Sequence, residues 1–234
     1  MNRQPTNKFW LGLAIGTISG IILGKRLASP PQLPHRNLWQ PVLEKEYGEV
    51  KATLLITQAQ KCYEELHRYR PRFSHPPLRL QVVKNILPGL ALYKTLRLAG
   101  EGQESALALM ESMLRATFSG SIKMVSLLKY LPCDHFNFFR KANLWMVRLG
   151  FPPQGWEMEL IEDSANALAY NAHRCMYLEV LRAYDAPELT PLFCQTDDWI
   201  AEALPKTIRW ERTKTIGRGE NCCDFRWSRA TEES

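Results

Sequence analysis

The pair Pro152-Pro153 divides this chain into two stretches of different hydrophobic period, and that division limits the folds open to it. Before the pair, apolar residues recur every three to four positions, as on one face of a helix; after it they alternate, as in strands with one buried side. Leu38 to Tyr69 carries Val42, Tyr47, Val50, Leu54, Leu55, Ala59, Cys62 and Leu66 at helical spacing, which predicts a helix or a broken pair closed by Pro71 and Pro76-Pro77. Leu78 to Leu98 continues the pattern, with Pro88 suited to a first helical turn. Glu104 to Phe118, Ile122 to Leu131 and Phe136 to Leu149 predict three more helices.

Past Pro153, Trp156 to Glu162 alternates as a strand, with Leu168 to His173 as its neighbour. Tyr177 to Ala183 and Leu189 to Leu204 predict helices. Ile208 to Arg212 and Cys223 to Trp227 alternate again around a turn at Gly217 to Gly219. The expected class is α+β: a helical first half over 38–152, then an α+β part over 153–234 with a small antiparallel sheet.

The N-terminus has a different character. Phe9 to Gly24 is sixteen residues without a charge, flanked by Arg3 and Lys8 before it and Lys25 and Arg26 after it. As a helix it would cover roughly 24 Å of a hydrocarbon layer about 30 Å thick, and snorkelling basic side chains would make up the difference. Residues 1–28 are therefore expected to be a membrane anchor with a single span at 9–24, in preference to a signal peptide, because Lys25-Arg26 is a poor approach to a cleavage site. Gly12, Gly16, Gly20 and Gly24 would share one face of that helix and let a second copy approach. The denser basic residues after the span place the C-terminal body in the cytoplasm. Residues 29–37, rich in proline, read as a spacer to a body at 38–234.

Charge is uneven: residues 1–100 hold 15 Lys and Arg against 5 Asp and Glu, and the remainder 15 against 19. A basic half next to an apolar segment suits a lipid surface. The recognition-helix and aromatic patterns that would favour nucleic acid are missing, so no nucleic-acid partner is expected. Six cysteines in a cytoplasmic body would be thiols or ligands instead of disulfides.

Chemistry concentrates in the last quarter. Cys194 and Asp197 lie three apart near a helix start, where they share a face and where the helix N-terminus favours a thiolate. Cys175 follows His173-Arg174 at a strand-to-helix junction. Cys222 and Cys223 would point to opposite faces of the last strand, with Cys223 beside Phe225 and Trp227. Arg212 offers a fork for a substrate carboxylate. A metal would have to be held by His173, Cys175, Cys194 and Cys223 from distant parts of the chain, since no Cys-x-x-Cys or His-x-x-x-His pair occurs; zinc is the ion such donors favour, and no cofactor is expected.

The ordered string His173-Arg174-Cys175-x-Tyr177, Ala186-Pro187-Glu188-Leu189, Phe193-Cys194-x-x-Asp197, Arg212-x-x-Thr215, Gly219 and Cys223-x-Phe225 resembles the L-2-amino-thiazoline-4-carboxylic acid hydrolase family, as does Leu87-Pro88-Gly89-Leu90. The resemblance implies hydrolytic opening of a cyclic amidine in a small-molecule substrate. On that reading the candidate catalytic residues are Asp197 as proton carrier, Cys194 or Cys175 as nucleophile or polariser, and Cys223. The candidate substrate contacts are Arg212, His173, Tyr177 and Thr215. The last quarter is also similar in layout to 4-vinyl reductase type domains, which would make the body a non-catalytic ligand-binding or assembly module.

Overall fold

The computed structural model describes residues 30–230. The segment read as a membrane span, with Gly12, Gly16, Gly20 and Gly24, lies outside them. Among the described residues no helix is long and apolar enough to cross a membrane. Residues 33–230 are one compact unit, and Leu33 itself is buried in its core, so the packed body takes in the end of the proline-rich stretch.

The helical half contains α1 (Arg36–Tyr47), α2 (Glu49–Arg68), α3 (Pro76–Gln81), α4 (Leu87–Leu98), α5 (Gln103–Ser126) and α6 (His135–Gly150). Helices α1 and α2 are the broken pair, parted at Gly48, whose φ of 77° suits a residue without Cβ. α4 is buried on almost every side, as a helix must be when it is apolar all round. Gly89 lets it approach the second half: a Cβ there would lie 3.1 Å from the Phe193 ring. Trp39 locks α1 to α5 by donating from its indole to the Met113 carbonyl and the Thr117 hydroxyl.

One correction concerns α5. The two helices expected over Glu104–Phe118 and Ile122–Leu131 are a single helix to Ser126 and a 3-10 turn, Leu127–Tyr130. Gly120 is exposed and costs a helix only about 1 kcal/mol, too little to end one held by its apolar face.

Between α3 and α4, Val82–Ile86 forms a π turn, with the Leu87 N–H reaching back five residues to the Val82 carbonyl. The cause is Pro88, which has no N–H for the Lys84 carbonyl and whose ring crowds it. That carbonyl is taken by His35 Nε2 at 2.7 Å, and the Val83 carbonyl by the Tyr63 hydroxyl at 2.9 Å.

The second half is β1 (Trp156–Asp163), β2 (Ala167–Cys175), α7 (Met176–Ala183), α8 (Thr190–Glu202), β3 (Ile208–Glu211) and β4 (Cys223–Arg229). The four strands form one antiparallel sheet in the order β1-β2-β4-β3, as the alternation predicts. Ala172 faces Cys223, Tyr170 faces Phe225 and Trp210 faces Trp227 across the ladders. One sheet face is therefore an aromatic platform, in which the Trp210 and Trp227 rings lie 4.7 Å apart and Phe225 about 6 Å from each. The fold class is α+β.

Candidate active site

Arg212, just past β3, organises the site. Its side chain is only 5% exposed and lies over the Trp210 and Phe225 rings, 5.7 and 5.8 Å from their centroids. From there Nη1 donates to Asp197 Oδ2 at 2.9 Å, and Nη2 to Asp198 Oδ2 at 2.6 Å and to the Cys194 carbonyl at 3.0 Å. Trp210 Nε1 adds a bond to Asp198 Oδ1. The sheet thus holds α8 through one guanidinium and one indole. The expected substrate clamp is already engaged by two carboxylates.

Asp197 is half-buried, with 45% of its side chain open to water. Burial pushes its pKa up to about 6, with Asp198 adding to the rise and Arg212 opposing it. Tyr177 is half-buried nearby: its ring meets Phe193 edge-on at 5.1 Å, and its oxygen accepts from Asn85 Nδ2 at 3.1 Å.

Cys175, Cys194 and Cys223 stand close enough to Asp197 and to one another for their charges to interact. Burial pushes the Cys175 thiol up to about 11 and the Cys194 thiol up to about 12, and raises Cys223 as well. This corrects the expectation of a thiolate at a helix N-terminus. Cys194 sits in the second turn of α8, and the loss of water outweighs any pull from the helix dipole or from Arg212. All three are thiols at neutral pH.

The remaining candidates divide. Thr215 is buried beside the cluster, and the next backbone N–H, of Ile216, donates to Cys223 Sγ at 3.3 Å. The hydroxyls of Thr215 and Thr190 and the Gln195 carbonyl oxygen are buried and find no partner among the described residues. His173 is not brought in: it is exposed and bonded to Glu159 across the β1–β2 ladder. Cys222 and Cys223 are both buried despite the alternation, because Cys222 precedes the strand. Among the described residues no three His, Cys, Asp or Glu side chains are arranged to hold a metal ion.

Asn85 was not a sequence candidate. Its signal was a lone amide in the apolar run before Pro88, and its partner lies 92 residues away.

The body is thus an α+β fold whose sheet and α8 bring a carboxylate, three protonated thiols and an arginine together. The chain matches the L-2-amino-thiazoline-4-carboxylic acid hydrolase family over residues 81–227 and belongs to that family. No curated protein matches it. Among solved structures it is similar to the Fe(II) unliganded H-NOX protein from K. algicida, at 12% identity and a TM-score of 0.33 over 85% of this chain and 96% of that one.

Proposed function

We propose that this protein opens a cyclic amidine, such as a 2-amino-thiazoline carboxylate, by adding water. The observation that carries the reading is Asp197, a half-buried carboxylate pushed up to about 6 beside Arg212, where proton transfer in both directions is efficient near neutrality. Asp197 takes a proton from water as the water oxygen bonds to the carbon between nitrogen and sulfur. The amidine π electrons move to the ring nitrogen, which receives that proton. As the adduct collapses, the carbon–sulfur bond breaks and the hydroxyl proton passes through the same carboxylate to the leaving sulfur, giving an N-carbamoyl cysteine.

Protonated thiols do not act as nucleophiles here, so Cys175, Cys194 and Cys223 take the role of a polarisable wall. Tyr177, kept neutral by burial, donates its O–H to developing charge. Arg212 clamps by exchange: Nη2 leaves Asp198 for the substrate carboxylate while Nη1 keeps Asp197 in place. The unpartnered oxygens of Thr190, Gln195 and Thr215 suit a polar ligand, because buried acceptors left alone are costly. The reaction needs no redox group. We place the body at a membrane through residues 9–24, with the body cytoplasmic and copies associating through Gly12, Gly16, Gly20 and Gly24.

The test is turnover of 2-amino-thiazoline-4-carboxylate by the purified full chain, read as release of a free thiol, with Asp197→Asn as control. A second reading, a non-catalytic small-ligand or assembly module at the membrane, is favoured by Arg212 being already paired with two carboxylates of the protein. Absence of turnover together with a co-purifying lipid or pigment would select it.

A further inference from the structure

Between Leu66 and Gly100 the chain has no acidic residue, yet it carries seven Lys and Arg side chains. Three of these, Arg70, Arg72 and Arg79, line one cleft of about 330 Å³ together with Pro71, Phe73 and Val82. Arg70 Nη1 donates to the His67 carbonyl at 2.5 Å, and Arg79 Nη1 donates to the carbonyls of Phe73 at 3.0 Å and Ser74 at 2.5 Å. These acceptors are neutral, so they orient the guanidinium groups without cancelling their charge. His67 adds no negative charge: burial and then Arg70 lower its pKa. None of the three arginines pairs with a carboxylate among the described residues. Arg72 makes no hydrogen bond to any of them.

We propose that this cleft binds an organic phosphate. Guanidinium groups match phosphate oxygens in a fork geometry. A phosphate monoester carries about −1.5 to −2 charges at pH 7, which answers three uncompensated arginines better than a single carboxylate does. The volume lies within the roughly 300–1,000 Å³ of small-molecule sites, and so exceeds what a bare anion fills. Pro71, Phe73 and Val82 give the carbon part of the ligand an apolar wall. A phospholipid headgroup and a soluble phosphate ester share this chemistry.

The experiment is calorimetric titration of the full chain in non-ionic micelles at low ionic strength, with glycerol 3-phosphate in one arm and dioctanoyl phosphatidic acid in the other. Saturable one-to-one binding is expected, weakened at least about tenfold by Arg72→Gln and by raising salt to about 0.5 M. Since Arg72 holds nothing else in place, the thermal melt of R72Q and any thiazoline turnover stay unchanged. Binding of glycerol 3-phosphate supports a soluble ester, and binding of phosphatidic acid alone supports a headgroup. Failure of both probes to saturate, or binding by R72Q equal to that of the unsubstituted chain, overturns the proposal and leaves the amidine reading untouched.

Discussion

Asn85 donates from its side-chain amide to the phenolic oxygen of Tyr177 across 3.1 Å, joining the π turn of the helical half to the helix that follows β2. The bond occupies an acceptor site on the phenol and leaves its proton free to be given elsewhere. Tyr177→Phe is therefore expected to lower kcat by about 10², the scale of losing one oxyanion donor, with the fold intact. Asn85→Ala should cost less, and should add almost nothing in the Tyr177→Phe background. Additive losses in that double-mutant cycle would show that the two side chains act separately.

Asp197 sets a pH signature. If its carboxylate is the base, kcat/KM rises through about pH 6 and then levels, and Asp197→Asn lowers the plateau by about 10²–10⁴. Arg212 holds this pKa down, so Arg212→Gln should move the rising limb to higher pH. Stability follows the same group with a definite sign. Its folded pKa lies above the unfolded value of 3.8, so the folded chain binds the proton more tightly and stability falls as pH rises from about 4 to about 6. With 45% of the side chain open to water the loss is about 1 kcal/mol, and urea melts across this range should be flatter for Asp197→Asn.

Thiol chemistry separates the cysteines. Raising Cys194 from 9.0 to about 12 cuts its thiolate roughly a thousandfold at a given pH, so iodoacetamide at pH 7.5 should leave Cys175, Cys194 and Cys223 unmodified. Exposed Cys133 should react in the native state. Peptide mapping by mass spectrometry reads this directly, and rapid labelling of Cys194 would restore it as a nucleophile.

Gly217 packs against α8 with no room for a side chain. A Cβ there would lie 2.9 Å from Cys194 Sγ, 3.0 Å from Thr190 Cγ2 and 3.4 Å from the Pro191 nitrogen. Gly217→Ala should destabilise by about 1–3 kcal/mol, visible as a lower Tm. Adding Cys194→Ala removes the nearest of these contacts, so it should recover part of the loss while the clash at Thr190 persists.

Local pattern was enough for most elements. The strand alternation put Cys223, Phe225 and Trp227 on one face, the helical period over Leu38–Tyr69 allowed the broken pair α1 and α2, and Pro88 marked the first turn of α4. The gathering of Cys175, Cys194, Asp197, Arg212 and Cys223 followed from a sheet face meeting a helix. What pattern could not carry was pairing. That Arg212 is shared by Asp197 and Asp198 depends on how far α8 lies over the sheet, and no spacing records it. His173 is the bulged residue of β2, skipped between the Glu157–Arg174 and Met158–Ala172 pairs, and turns outward to Glu159. The thiols' high pKa values came from dehydration by the surrounding mass, which residue order leaves undefined.

A π turn is an α-helical turn holding one residue more than it needs, with the helices on either side still in phase. Removing a single residue from Val82–Ile86 would thus let Leu78 and Leu90 keep their places in the core while withdrawing the amide from Tyr177. At this one point the helical half can change the chemistry around Tyr177 by an indel and keep its architecture, where the same loss inside α4 would turn its buried face by about 100°.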